Sequence, residues 1–202
     1  MRYKHSPRGS SININKRELY EERKTPGQIM SARIKWTDRR FDFSFPVELY
    51  PEMIERVRGT PARLEDRLRS LPVKILTRRD GERWSIQENA GHLLDLESLV
   101  IRRIEEYVAG VATLHAADMS NKKTYEADHN AMAVESILRA FREQREGVVA
   151  RLEGLEPELF ARTALHPRLN VQMRLVDMIL FQAEHDDYHL ARISELVRLF
   201  LK

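Results

Sequence analysis

The chain has 202 residues, of which 42% are hydrophobic and 32% are charged, and this balance excludes a wholly disordered or a membrane-embedded protein. The net charge is only +3, and basic residues are interleaved with acidic ones along the helical segments, which argues against a nucleic-acid-binding protein. The absence of cysteine excludes disulfides, thiolate metal ligands and a cysteine nucleophile.

The N-terminal part of the chain differs from the rest. Residues 1–29 contain Gly, Pro, Ser, Lys and Arg without helical or strand periodicity, which predicts a disordered tail or an extension upstream of the natural start. Residues 34–45 alternate between apolar and polar, which predicts a short extended segment or hairpin. We expect the whole of residues 30–45 to pack on the outside of the domain that follows, residues 46–202. Without a signal-peptide core or an apolar run of bilayer length, we expect a cytoplasmic protein that does not associate with membranes.

The first predicted helix spans residues 51–71, where apolar residues recur at steps of three and four. Gly59, Thr60 and Pro61 interrupt it. The expected consequence is a kink, or a new helix start with Thr60 as the N-cap and Pro61 at the first helical position.

The second predicted helix begins near Ser85, because Ser85 and Glu88 have the spacing of a capping box. It ends at Gly110, a suitable C-terminal glycine. About twenty mostly polar residues follow, 111–130, and this length predicts a connection that crosses the bundle rather than a tight hairpin turn.

The third and fourth predicted helices cover residues 131–153 and about 170 to the C-terminus. Four amphipathic helices without a convincing long strand predict an all-α fold, a four-helix bundle with a short extended N-terminal segment.

The fourth helix carries the most informative chemical pattern. His185 and His189 are four residues apart, so their imidazoles lie one turn apart on the same helix face, within reach of one metal ion. They also occupy the stripe that should face the core. From this pair alone, a metal site and two hydrogen-bonded core histidines are equally good interpretations.

A third histidine, His92, lies about two turns into the second helix on the face that carries Leu96. Three protein ligands with an open position are the pattern of a catalytic metal site. On the residues alone, however, a lone histidine of this kind is better interpreted as a hydrogen-bonded core residue.

Two segments of the chain form a characteristic pair. The first is Trp84-Ser85-Ile86 with Glu88 and His92-Leu93-Leu94-Asp95-Leu96-Glu97; the second is Glu184-His185-Asp186-Asp187-Tyr188-His189 with Ile193. In their sequence and their order, these segments resemble the DinB-like superfamily of helical bundles, and the resemblance covers about residues 46–202.

The resemblance implies a four-helix bundle with up-down-down-up order and a divalent metal, commonly zinc, nickel or another first-row ion, held by His92, His185 and His189. Characterised members include transferases that use bacillithiol or mycothiol and a mycothiol-dependent maleylpyruvate isomerase. A metal-activated water or thiolate is therefore the expected nucleophile. The lack of cysteine agrees with a thiol that arrives as a small molecule.

Metal-bound histidines usually donate their second N–H group to a neighbouring acceptor. Five acidic residues near the histidines are candidates, and Asp95 is preferred. They are Glu88, Asp95, Glu97, Glu184 and Asp186. Three further histidines fall in predicted connections and are interpreted as loop residues: His115, His129 and His166. Arg168, just before the last helix, could present its guanidinium to an anionic substrate.

The leading functional hypothesis is a metal-dependent enzyme, either a thiol-dependent S-transferase or a hydrolase, that acts on a small-molecule substrate such as a low-molecular-weight thiol. No catalytic residue beyond the metal ligands is assigned. The alternative is a non-catalytic metal-binding or dimerising bundle that acts through protein partners. Since bundles of this shape often pair through exposed helix faces, a homodimer is one state that the sequence allows.

Overall fold

The structure, a computed structural model, describes residues 33–202. The predicted tail, residues 1–29, lies outside the described residues. Residues 39–202 form one compact unit, and the preceding residues 33–38, which fall outside this unit, include a single 3-10 turn, Trp36–Asp38.

Helices dominate the described chain. They are α1 (Tyr50–Arg58), α2 (Thr60–Leu68), α3 (Val73–Leu76), α4 (Ile86–Ala109), α5 (Lys122–Glu126), α6 (Val134–Glu153) and α7 (Leu175–Phe200). Two short strands, β1 (Thr163–His166) and β2 (Val171–Arg174), pair with each other. Within residues 33–202, no helix has the length and apolar character needed to cross a bilayer.

The main core is enclosed by helices at four positions of a bundle. Helix α4 packs against α6 and α7, while α1 and α2 together occupy the remaining position and contact the same two helices. The core between them is built from aliphatic and aromatic side chains such as Leu64, Leu93, Ile137, Phe141 and Ile193. The predicted helical bundle is thus present, and its up-down-down-up order stays a prediction.

The break in the first predicted helix occurs where the sequence indicates, at Gly59. Thr60 is not the N-cap, however, because it is already the first residue of α2, and Gly59 occupies the cap. The Thr60 hydroxyl instead donates a hydrogen bond to the buried carboxylate of Asp186 in α7, at 2.8 Å.

Helix α4 begins and ends as predicted. The Ser85 Oγ accepts the backbone N–H of Glu88 at 3.0 Å, and the Glu88 carboxylate accepts the backbone N–H of Ser85 at 2.8 Å, which completes the capping box. At the other end, Gly110 adopts a left-handed conformation with φ of +71°, which suits glycine because it has no Cβ.

The prediction of a strictly all-α fold is wrong in one place. Strands β1 and β2 form an antiparallel hairpin, with His166 opposite Val171, and Asn170 supplies the left-handed residue of the turn. The last helix therefore begins at Leu175 rather than near 170. Its first turn is fixed by Asp177, whose carboxylate accepts the backbone N–H of Arg174 at 2.8 Å.

The connection between α4 and α6 is not a bare loop. It is attached to the hairpin, because the backbone N–H of Leu114 donates to the carbonyl of Leu165 at 3.0 Å. It then forms α5 and a 3-10 turn, His129–Ala131, so α6 begins at Val134, slightly later than predicted.

The aromatic segment before α1 has no regular secondary structure from residue 39 to residue 46. The Phe41 ring lies 5.0 Å from the Phe181 ring in α7, and the Arg174 guanidinium donates hydrogen bonds to the carbonyls of Phe43 and Phe45. These contacts hold residues 41–45 against the start of the last helix.

Candidate metal centre

Three buried histidines meet between α4 and α7. His92 is 4% exposed, His185 is 7% exposed and His189 is 6% exposed. One potential ligand atom from each lies within 4.8 Å of the others, and their ring centroids are 4.6 to 5.4 Å apart. The structure therefore brings together the three residues that the sequence nominated.

Hydrogen bonds orient two of these rings. The Thr124 hydroxyl donates to Asp95 Oδ2 at 2.8 Å and lies 3.0 Å from His92 Nδ1, so the hydroxyl oxygen accepts the Nδ1 proton. His189 Nδ1 lies 2.9 Å from Asn89 Oδ1, whose own amide nitrogen donates to the Ser85 carbonyl at 2.7 Å. In both rings, Nδ1 thus carries the proton, and Nε2 is the nitrogen that would bind a metal ion.

Burial keeps the imidazoles of His92 and His185 neutral. Burial, with a further contribution from the nearby His185, lowers the pKa of His92 to about 3. Burial likewise lowers the pKa of His185 to about 4, despite the opposing charge of Asp186. Neutral imidazole is the form that binds metal, so neither His92 nor His185 would have to lose a proton to bind an ion at neutral pH.

The chemistry of these side chains fits a divalent ion. Three imidazole nitrogens converge from two helices, and hydrogen bonds fix the tautomers of two of the rings. Nitrogen ligands of this kind suit zinc, nickel and other first-row metals.

Aromatic side chains flank the histidines. The half-buried indole of Trp84, the residue just before the α4 N-cap, lies 4.7 Å from the His92 ring and 6.2 Å from the His189 ring. Tyr125 of α5 lies 5.6 Å from the same indole. The capping box at Ser85 fixes the start of α4, and it thereby positions the Trp84 ring beside the histidines.

A cavity with a volume of about 330 Å³ adjoins His92 on the side of α5. Asp95, Thr124 and two basic residues, Arg102 and Lys123, contribute to its wall. This volume lies within the usual range for small-molecule sites.

The five acidic candidates have other partners. Asp95, the preferred one, reaches His92 through the Thr124 hydroxyl. The others are occupied in ion pairs: Glu88 with Arg79, Glu97 and Asp186 with Arg145, and Glu184 with Arg39 and Arg56.

The interpretation of the remaining histidines as loop residues is correct for His115, which is exposed, and wrong for two others. His129 is buried, and its Nε2 lies 2.8 Å from Asp95 Oδ2, so that Asp95 links His129 to Thr124 and His92. His166 is buried at the end of β1. Neither burial has a signal in the sequence, because no periodicity marks an inward face in these connections.

Two residues that orient the rings were not nominated. Asn89 lies three residues before His92, on the same inward face of α4, and that spacing could have identified it. Thr124 belongs to the polar connection, where nothing in the sequence distinguishes it from its neighbours.

Comparison with solved structures shows the same type of fold. YfiT from Bacillus subtilis, described as "a probable metal-dependent hydrolase with an unusual four-helix bundle topology", is 22% identical, with a TM-score of 0.69 over 79% of this chain and 92% of that chain. The mycothiol-dependent maleylpyruvate isomerase is 9% identical, with a TM-score of 0.57 over 79% of this chain and 62% of that chain. At these identities the likeness concerns the fold.

A search of curated proteins gives no significant match. The sequence model of the DinB superfamily, by contrast, matches residues 56–193, a stretch that contains the three histidines and the helices that carry them. The chain therefore belongs to the DinB superfamily.

Proposed function

We propose that this protein is a metal-dependent enzyme in which His92, His185 and His189 hold one divalent ion. The observation that carries the proposal is the convergence of three buried imidazoles, with potential ligand atoms within 4.8 Å of one another. Their burial favours the neutral, metal-binding form of His92 and His185, whose pKa values are lowered. Zinc and nickel are the first ions to test.

The proposed reaction class is hydrolysis or thiol-dependent S-transfer on a small-molecule substrate. A divalent ion on three histidines supplies a Lewis acid that lowers the pKa of a bound water or thiol. The description of YfiT supports a hydrolase, and that of the isomerase, of which this chain spans 62%, supports a thiol cosubstrate. Since the chain has no cysteine, the thiol would be a separate small molecule.

Other residues of the chain would prepare the site. Thr124 and Asn89 hold the His92 and His189 rings in the orientation that directs Nε2 toward the ion. Trp84 covers one side of these two rings and limits the access of water there. The cavity beside His92 would admit the substrate from the side of α5.

The proposal is tested by the metal content of protein purified without a histidine tag. We expect about one divalent ion per chain in the parent and close to none in a His185→Ala and His189→Ala double variant or in His92→Ala. His115→Ala, which removes an exposed histidine that is not one of the three proposed ligands, is the matched control and should retain the metal. Circular dichroism of all variants checks that the helices remain.

A parent protein that takes up no zinc, nickel or manganese, even after incubation with each, would refute the metal site. A protein that binds metal but turns over neither thiols nor ester and amide substrates would favour the alternative, a non-catalytic or dimerising metal-binding bundle. Sedimentation of the parent then decides whether it is a homodimer.

A further inference from the structure

A second group of polar side chains lies beside the metal centre, near the start of α7. Arg168, in the hairpin turn, has its guanidinium carbon 5.5 Å from the ring centroid of Phe181, and the His166 ring lies 5.1 Å from the same ring. Arg103 of α4 reaches Met178, three residues earlier in α7. The proposed metal centre does not use any of these basic side chains.

His166 has an unsatisfied donor. Its Nδ1 accepts the backbone N–H of Leu169 at 3.2 Å, so in the neutral ring the proton is on Nε2. The residue is 2% exposed, and within residues 33–202 its Nε2 has no hydrogen-bond partner. Leaving a buried donor unpaired is unfavourable, and a ligand that accepts from Nε2 would remove this cost.

Arg103 is a buried cation that has no carboxylate partner within residues 33–202. It is 4% exposed, and its Nε and Nη2 donate to one acceptor, the His115 carbonyl, at 3.0 and 2.8 Å. In the described part of the chain, no carboxylate oxygen lies within 4.0 Å of its guanidinium. Arg145, which is as deeply buried, is by contrast paired with both Glu97 and Asp186.

The electrostatic environment agrees with this difference. Burial lowers the pKa of Arg103, against the raising effects of Tyr107 and Glu106, and the positive charge of Arg168 adds to the lowering. Burial also lowers the pKa of His166 to about 4, and both arginines add to the effect. His166 is therefore a neutral hydrogen-bond donor at neutral pH, and it lies near enough to both guanidinium groups for their charges to lower its pKa. An anion bound here would relieve the repulsion between the two guanidinium groups.

We propose that Arg103, Arg168 and His166 form a binding site for an oxyanion, the carboxylate or phosphate group of the substrate. Guanidinium groups suit both, because their N–H donors match the spacing of carboxylate and phosphate oxygens. Phe181 lies four residues before His185, about 6 Å along the helix axis. One small molecule could thus place its anionic group here and its reacting group at the metal, and in this respect the inference rests on the proposed function.

The experiment measures anion binding directly. Chelator-treated protein is titrated with sodium phosphate, and separately with sodium acetate, at constant ionic strength maintained with sodium chloride, by calorimetry and by the shift in thermal midpoint. We expect saturable binding of at least one of the two, and the arm that binds more tightly identifies the preferred anion. Arg103→Met and Arg168→Gln should each weaken this binding about tenfold or more, because each removes a charged donor.

Arg151→Gln is the matched control, because Arg151 already pairs with Glu105 on an exposed surface, and it should leave the affinity unchanged. His166→Phe should weaken binding while preserving the contact with Phe181. If Arg103→Met does not fold, Arg168→Gln, whose side chain is less buried, decides the outcome. No saturable binding by the parent, or binding that survives both arginine substitutions, overturns the proposal.

Metal content of the same variants separates this inference from the proposed function. Arginine variants that keep about one zinc ion per chain but lose the anion support both. A parent that lacks metal but loses anion binding on arginine substitution keeps the oxyanion site and refutes the metal-dependent enzyme. If the anion binds only in the presence of zinc, and with the same affinity in the arginine variants as in the parent, then it binds to the metal and the proposed oxyanion site is refuted.

Discussion

At the scale of single residues, the orientation of the imidazole rings depends on the Nδ1 atoms, which face away from the proposed ion and form hydrogen bonds with the protein. The Asn89 side chain is held by its own helix, since its amide donates to the Ser85 carbonyl at 2.7 Å, and its oxygen is therefore turned toward His189. The position of the His189 imidazole thus depends on the capped first turn of α4. The same turn also fixes Trp84.

Substitution of Asn89 should accordingly weaken metal binding. We expect Asn89→Leu to lower zinc affinity about 10- to 100-fold, because the His189 Nδ1 proton loses its acceptor and the ring its fixed orientation. Competition with a chromophoric chelator measures the affinity. Asn89→Asp is the matched variant, because it too loses the bond to Ser85 but retains an acceptor for His189, and it should bind zinc at least as tightly as the parent. Equal weakening by both substitutions would show that the bond to Ser85, and not the acceptor, matters.

How much of the site the sequence predicts depends on where each residue lies. His185 and His189 could be assigned to one face because helical periodicity fixes side chains four residues apart. The same periodicity assigns Asn89, three residues before His92, to the inward face of α4. Thr124 and His166 lie outside the long helices, and their direction is set by tertiary contacts that no local pattern encodes.

At the scale of elements, the approach of the α4–α6 connection to α4 depends on one glycine. Gly91 lies in the first half of α4, and a Cβ there would overlap the imidazole ring of His129. His129 in turn bonds Asp95, which bonds Thr124. A methyl group at position 91 would therefore displace His129, and the displacement would reach His92 through the hydrogen bonds of Asp95 and Thr124.

Gly91→Ala should destabilise the protein by about 1 to 3 kcal/mol, because overpacking against a buried ring outweighs the gain in helix propensity. Gly147→Ala is the matched control. Gly147 is exposed within α6, and no atom lies within 4 Å of the place that an added methyl group would take, so the same change should stabilise by about 0.5 to 1 kcal/mol. Urea denaturation of chelator-treated protein measures both, and stabilisation by both changes would contradict the close approach of His129.

The boundaries of elements were predictable where side chains mark them. Ser85, Glu88 and Gly110 mark the ends of α4 and lie where the sequence placed them. The sequence does not predict the hairpin, because Val171 and Met173 continue the apolar character of the last helix. Only Asn170 indicates a turn, since asparagine tolerates the left-handed backbone that the structure shows there. Such short strands depend on pairing with each other and with the segment around Leu114, which is non-local information.

At the scale of the whole molecule, one buried arginine connects the helices. Arg145 of α6 donates to Glu97 of α4 at 2.7 and 2.9 Å and to Asp186 of α7 at 2.6 Å, and it also bonds the carbonyl of Val57 at the end of α1. Although burial opposes its charge, Asp186 and Glu97 hold the pKa of Arg145 above its usual range. Asp186 is the neighbour of His185, so this network also braces the helix that carries two of the proposed ligands.

Removal of Arg145 should strongly lower the free energy of unfolding, because its carboxylate partners stay buried. In Arg145→Met, the carboxylates of Glu97 and Asp186 lose their counter-charge in the core, and we expect a loss of about 3 to 5 kcal/mol in the free energy of unfolding. Arg142→Met is the matched control, because Arg142 lies about one turn earlier in α6 and pairs with Glu65 where both side chains are partly exposed to solvent. It should cost less than about 1 kcal/mol.

The origin of the loss can be tested by neutralising the two carboxylates as well. A triple variant with Arg145→Met, Glu97→Gln and Asp186→Asn removes the uncompensated charges while the Asn side chain can still accept from Thr60, so it should recover a substantial part of the stability lost in Arg145→Met. Guanidinium chloride denaturation at neutral pH gives the free energies of the parent and all three variants. If the triple variant is no more stable than Arg145→Met, the arginine contributes through packing between the helices rather than through charge.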